Sequence, residues 1–372
     1  MKNPPFCPNS GCSHYRNPEG NWFVKNGSYS NRKHGRIQRF ECRSCGTGFS
    51  EETFSIDYYT KRIIPYRTIM EHLVTCSGIR DLSRLLHVSC STVNNRISRL
   101  ARQSMAVSAK LSENLCLKED LVADGFESFV KSQYMPNNIN ILAGKDSQFW
   151  FFSGYSQLTR KGQMTEKQKE KNILIKDQIK INRVTIYSSF QNLVKAALKL
   201  QFSSDRETVS LYTDEHPQYK KVMETLSPEE KQALNHIRIS SKKARTVTNP
   251  LFSVNYLDRE IRKDNSDHVR ETVQFARNTA NSMDRLAVYR LQHNFMKPFR
   301  INGEPDEQTK THGEKAGIPA EAIRRELKTL FTRRRFLGRC GMLDLSDRLV
   351  WCRCISTPMN RFADRVSRFA LA

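Results

Sequence analysis

Acidic residues are scarce in this chain: 38 Asp and Glu stand against 61 Lys and Arg over 372 residues, a formal net charge of +23 at pH 7. Long apolar runs are missing too. No stretch approaches the ~18–20 apolar residues of a bilayer span, which excludes a membrane transporter. The first residues, Met1-Lys2-Asn3-Pro4-Pro5-Phe6, carry no apolar core of a secretory signal, so a soluble, cytoplasmic protein is expected. Ten cysteines are too few for a disulfide scaffold at this length. Hydrophobic content is a lean 38% and mean hydropathy is −0.62, yet 20 Phe and 12 Tyr supply ordinary cores and argue against disorder. The length suggests two or three domains. A charge excess of this size favours a polyanion, because binding releases its counterions, and nucleic acid is the obvious partner.

The cysteines that are present are placed informatively. Cys7 and Cys12 lie near the start, and Cys42-Arg43-Ser44-Cys45 follows after a Gly-, Asn- and Ser-rich stretch. Two thiolate pairs so spaced are the arithmetic of a tetrahedral structural zinc site, each pair on a tight knuckle. Gly46 permits the turn in which backbone N–H groups face sulfur, and Phe40 and Phe49 flank it. The first pair is wider than the second, and His14 could replace one ligand. Cys76, Cys90 and Cys116 are isolated, while Cys340, Cys352 and Cys354 form a loose group for which core packing is favoured over a second metal site.

Helical periodicity begins near residue 65. Ile69, Leu73 and Val74 give one apolar face, and Ile79, Leu82, Leu85 and Leu86 a second. After a break at Val88-Ser89, a third helix is expected over 91–100, with Val93, Ile97 and Leu100 inward. Its outer face of Thr92, Asn94, Asn95, Arg96 and Arg99 has the pattern of a recognition helix for the major groove. The Asn and Thr side chains can reach base edges, while Arg96, Arg99 and Arg102 can contact phosphate. A small helical bundle with a polar face is the plainer alternative.

From Leu121 the pattern turns to short β-like runs. Leu121-Val122-Ala123-Asp124, Ile139-Asn140-Ile141-Leu142-Ala143, Phe149-Trp150-Phe151-Phe152, Val209-Ser210-Leu211-Tyr212-Thr213-Asp214 and His236-Ile237-Arg238-Ile239-Ser240 read as five strands. A Lys-rich polar insertion separates the third from the fourth, and a mostly helical region over 254–289 follows the fifth. This order predicts a mixed α/β sheet with carboxylates converging at strand ends. Two such carboxylates could hold a pair of Mg²⁺ or Mn²⁺ ions about 4 Å apart for in-line phosphoryl displacement. Taken singly, Asp124 could instead cap a turn and Asp214 could cap the helix that starts at Pro217.

The order of cysteine pairs, helix-turn-helix, Val122-Ala123-Asp124-Gly125-Phe126 and Tyr212-Thr213-Asp214-Glu215-His216-Pro217 resembles an insertion-sequence transposase of the DDE superfamily, closest to the IS-one and IS-fifteen-ninety-five-like groups. The resemblance covers roughly residues 1–300. It implies an α/β architecture in four parts: a zinc ribbon (1–55), a helix-turn-helix (60–105), an RNase H-like catalytic core (115–302) and a basic helical C-terminal region (303–372). The third ligand of that family is usually a Glu on the helix after the fifth strand. Counting back from Arg270-Glu271-Thr272-Val273-Gln274-Phe275-Ala276-Arg277, which is similar to a basic stretch of the family, puts Asn255 there and Arg262 seven residues on. Some branches carry Asn at this position. Asp258, about 60° around the helix, is the reserve, and Glu260, about 140° away, is a poorer candidate.

The resemblance further implies metal-dependent cleavage at a transposon end and transfer of the freed 3′-OH to target DNA. Asp124, Asp214 and Asn255 would serve the Mg²⁺ or Mn²⁺ ions, with Arg262 steadying phosphate of the transposon end. Double-stranded DNA would be the partner, tracked by the basic stretch 160–171 and by Arg270, with homo-oligomerisation in the assembled complex and a nucleoid-associated location in a bacterium or archaeon. The C-terminal region has twelve Lys and Arg against five Asp and Glu from Ala320 onward. Both a DNA- or dimer-contacting tail and a helical cap on the core fit it.

Overall fold

The N-terminal strands owe their pairing to inward-facing aromatic and cysteine side chains. The computed structural model describes residues 3–178, 184–268, 274–300, 310–340 and 343–357. A short helix α1 (Ser13–Arg16) precedes an antiparallel sheet of β1 (Phe23–Asn31), β2 (Gly35–Cys42) and β3 (Gly48–Ser50). Ile37, Phe40 and Cys42 of β2 are buried, and Phe6, Tyr15, Trp22, Phe49 and Phe54 pack around them. One member comes from the far end of the chain: the Phe336 ring lies 5.1 Å from Phe6 and 5.8 Å from Phe54.

Helices α2 (Tyr66–Leu73), α3 (Ile79–Leu85) and α4 (Cys90–Leu111) follow. Ile69, Leu73 and Leu82 are buried as the periodicity requires, whereas Leu85 is half exposed. Ser89 caps α4, its hydroxyl accepting from the Thr92 backbone N–H. The third helix is twice the expected length. Nothing in residues 101–111 stops it, since that run holds no Gly or Pro. Its second half, carrying Ala101, Ser104, Met105 and Val107, is buried and packs along a later helix, α10 (Thr279–Phe295). The expected boundary at 105 therefore falls inside α4.

The second sheet has the order β6-β5-β4-β7-β8, from β4 (Leu121–Val130), β5 (Ser132–Gly144), β6 (Trp150–Gln157), β7 (Val209–Thr213) and β8 (Leu234–Arg238). β5 is antiparallel to β4 and β6, while β7 and β8 run parallel to β4. Period-two alternation sorts the side chains onto two faces. Leu121, Ala123 and Leu142 pack with α6 (Ile186–Phe202) and α7 (Pro217–Glu224). Val122, Phe126, Ile139 and Ile141 pack toward α4, α9 (Phe252–Asp264) and α10. The mixed α/β architecture is as expected, with three adjustments. β5 begins well before Ile139, because Asn137, Asn138 and Asn140 are buried and polar, so the run did not look like a strand. β8 starts two residues early, at the buried Leu234 that pairs with Val209. The helical region expected over 254–289 is broken: α9 ends at Asp264, and α10 starts at Thr279.

Beyond these lie α5 (Glu166–Gln178) in the basic insertion, α8 (Pro228–Ala233) before β8, and α11 (His312–Lys315), α12 (Ala320–Leu327) and α13 (Leu345–Trp351). The C-terminal segment folds back over the molecule. Ile56 N–H donates to Thr332 O (3.0 Å) and Arg334 N–H to Phe54 O (2.8 Å), while Trp351 is buried in the core shared with α4.

Candidate functional site

The four N-terminal cysteines converge. The Sγ atoms of Cys7, Cys12, Cys42 and Cys45 all lie within 4.8 Å of one another, with Cys7–Cys45 at 3.6 Å and Cys12–Cys42 at 3.8 Å. A zinc–sulfur bond of about 2.3 Å gives a tetrahedron with edges of about 3.8 Å, so the set could hold a metal such as zinc. All four are free thiols. The second knuckle closes where Gly46 N–H donates to Cys42 O (2.9 Å), with Gly46 at φ +68°, a conformation that favours glycine. Burial pushes Cys7 and Cys12 up, whereas at Cys45 the Thr47 hydroxyl and backbone outweigh burial and bring the thiol to about 6. His14 stays outside the cluster, paired with Ser44 at 2.8 Å and stacked on Trp22. Cys340, Cys352 and Cys354 form no such group: Cys340 donates to Phe336 O.

The acidic residues gather at a divergence in the larger sheet. β4 and β7 pair in parallel only at Leu121↔Leu211 and Val122↔Tyr212. Two residues further in the same register are Asp124 and Asp214, beyond the last paired residues, where the strands part. A crevice at such a point is where open α/β sheets bind ligands. Asp124 Oδ1 accepts from Gly125 N–H (2.7 Å), and Asp214 Oδ1 accepts from His216 N–H (3.0 Å). Both capping readings thus have a counterpart in local turns, but each carboxylate keeps a second oxygen. Burial, and then the neighbouring charge of Asp214, raise Asp124 to about 6.

Tyr219 of α7 marks how closely the carboxylates approach. Its buried hydroxyl donates to Asn140 Oδ1 (3.1 Å), and its ring stacks on Phe190 at 4.0 Å. Burial holds it well above the usual tyrosine range, helped by the charges of Asp124, Asp214, Asp258 and Glu127. Asp258, the reserve candidate on α9, is half-buried and adds its charge to those acting on Tyr219. Asn255 lies three residues earlier on the same helix and is half-buried. Glu260 points elsewhere, held by Lys263 and Lys297. Arg262 stacks on Phe126 (4.5 Å) and donates to Glu127 O (3.3 Å), beside the cluster. The acids do not close into a cage of three carboxylates. Among the described residues, the cysteine set is the group of three or more such side chains whose ligating atoms converge. Asp124 and Asp214 nevertheless have the chemistry for a hard divalent cation, two carboxylates brought together at a partly desolvated crevice.

Two basic regions flank these acids. A groove of about 700 Å³ is lined by Glu127, Arg160, Lys161 and His216 among others. The other was missed in the sequence: Arg245 is near enough to lower Asp124, at the end of the exposed run Lys242-Lys243-Ala244-Arg245. Its clue was there, a basic run directly after the fifth strand.

The recognition-helix residues divide. Thr92 and Asn94 are half-buried and Asn95 is exposed at the start of α4. Arg96 does not face outward as expected. It is buried, and its guanidinium donates to Arg62 O (2.9 Å). Arg99 is half-buried and donates to Ile56 O (2.9 Å). The cause is the chain before α2, which crosses α4 and needs its carbonyls satisfied. Arg270 lies outside the described residues. No protein-family model matches this sequence, and no curated protein matches it significantly.

Proposed function

We propose that this chain is a DNA transposase of the DDE type, with a zinc ribbon and helix-turn-helix that bind DNA and an RNase H-like core that cuts and joins it. The carrying observation is the shared register of Asp124 and Asp214 at the point where β4 and β7 part, with the charge of Asp258 acting on the same Tyr219 as theirs. The sheet supports the reading: in the order β6-β5-β4-β7-β8 only β5 runs against the other four strands, as an RNase H-like core would have it. Asp124 and Asp214 would hold divalent cations, which when bound activate water and the 3′-OH toward phosphorus. Asn255 or Asp258 would complete the set, and Arg262 would meet a phosphate. Homo-oligomerisation would bring two DNA ends together.

The test is strand cleavage and joining in Mg²⁺ or Mn²⁺, with duplexes taken from the sequences flanking the gene. Asp124→Ala and Asp214→Ala should each abolish joined product while DNA binding stays within about twofold. Joining at the wild-type level in both variants would defeat the proposal. One observation favours a second reading, a DNA-binding regulator that does not cut: the position of the usual third carboxylate is Asn255, an uncharged amide. That reading requires wild-type DNA binding with no metal-dependent product.

A further inference from the structure

Five arginines meet in one cavity between the start of α4 and the C-terminal segment. The space is about 240 Å³, and its walls include Arg99 and Arg102 from α4 and Arg334, Arg335 and Arg353 from beyond α12. Among the described residues that line it there is no carboxylate. Two of the five charges are balanced by acids behind the wall, Arg353 by Asp284 (2.8 Å) and Arg335 by Glu326 (2.8 Å). Among the described residues Arg99 and Arg102 have no direct ion pair, and only the more distant acids Asp57 and Asp284 act on them. Their hydrogen bonds go to Asn95 Oδ1, Ile56 O and Trp351 O, which orient the guanidinium groups without neutralising them.

Like charges gathered in a partly desolvated space repel one another, and the cost falls when an anion enters. Burial first, and then the neighbouring charges, disfavour the charged form at these walls. Burial, with the charges of Arg99 and Arg102, brings Arg334 down to about 10, although Tyr58 pulls the other way. Arg102 is lowered in the same manner, by burial and by Arg353 and Arg99, with Asp284 opposing. Amide side chains of Asn95 and Asn281 add neutral hydrogen-bonding groups at the wall.

We propose that this cavity binds a phosphate group. Planar guanidinium forks match phosphate oxygens in pairs, which suits a wall built of arginine rather than lysine. The volume is smaller than the roughly 300 Å³ at which sites for whole small molecules begin, so one or two phosphoryl groups are the natural load. The phosphate could belong to a DNA backbone or to a free oligophosphate. Either way the site joins α4 to the C-terminal segment, and it does not depend on strand transfer.

The probe is inorganic pyrophosphate, titrated calorimetrically into the full chain at low ionic strength, with one site per chain expected. Asn95→Asp is the discriminating variant. Asn95 Oδ1 already accepts from Arg99 Nε (3.0 Å) and Arg96 Nη1 (3.3 Å), so an aspartate keeps both bonds and adds a negative charge at the wall. It should weaken pyrophosphate about tenfold or more. Arg102→Gln should weaken it comparably, and Asp124→Ala should leave it unchanged. A short DNA duplex then separates the sources. Displacement of pyrophosphate by duplex assigns the site to backbone phosphate, simultaneous binding assigns it to a free ligand, and both uphold the site. Absence of pyrophosphate binding, or equal binding by wild type and Asn95→Asp, overturns the proposal.

Discussion

Replacing Asp124 by asparagine should stabilise the metal-free protein while abolishing strand joining. The Asp124 carboxyl is raised from 3.8 to about 6, first by burial and then by Asp214. A carboxyl whose native value lies above its unfolded value favours folding when protonated. Its contribution therefore becomes unfavourable as pH rises through about 6, and the penalty vanishes below about 4. The gap between about 6 and 3.8, at about 1.36 kcal/mol per pH unit, sets the penalty at neutral pH at about 3 kcal/mol. Asparagine carries no charge, and its Oδ1 can still accept from Gly125 N–H. Thermal unfolding in magnesium-free buffer at pH 8 should place Asp124→Asn on the order of 5 °C above wild type. The difference should shrink at pH 5 and close near pH 4. Millimolar Mg²⁺ should raise the wild type and leave the variant unmoved, because the Asp124–Asp214 carboxylate pair is the site where that cation would bind. A variant less stable than wild type at pH 8, or a difference that ignores pH, would refute the assignment of Asp124 as an unbalanced buried acid.

Three further outcomes can be checked separately. Metal analysis of the purified chain should find about one zinc per molecule, lost in Cys42→Ser, with the N-terminal module becoming protease-sensitive. Arg285→Ala should cost about 3–5 kcal/mol in urea unfolding, because it strands the buried Asp267 carboxylate now held at 2.7 Å; a loss under 1 kcal/mol would contradict that. Gly125→Ala should impair joining, since its methyl would sit 2.3 Å from Oδ1 of the buried Asn138 and force that side chain to move beside Asp124; unchanged activity would mean that the Asn138 side chain yields without disturbing Asp124.

What the sequence disclosed is what depends on local chemistry. The cysteine knuckles, the end of β7 at Asp214 and the inward face of Val93, Ile97 and Leu100 follow from spacing and alternation, whereas Asp124 lies inside β4, which runs on to Val130. What escaped depends on partners distant in the chain. Arg96 looks like a surface arginine until the carbonyl of Arg62 lies across it. The front of β5 looks polar because it carries Asn137, Asn138 and Asn140, which the fold buries, with Asn140 Oδ1 accepting from Asn138 and Tyr219. The length of α4 is fixed by α10, far along the chain. Asp258 was legible only as an angle on a helical wheel, and its approach to Tyr219 needed the sheet.

The return of Phe336 and Arg339 to the first module has a consequence for biosynthesis. Arg339 lies over the Phe6 ring (4.2 Å) and donates to the Tyr15 carbonyl, and Phe336 fills the aromatic cluster around the cysteines. A ribosome releases the cysteine module first, yet the side chains that close its hydrophobic wall emerge some tens of seconds later at ordinary elongation rates. Through that interval the nascent module carries an open aromatic face that chaperones or early metal loading would have to shield. A message truncated before Phe336 would leave that face uncovered in the finished product.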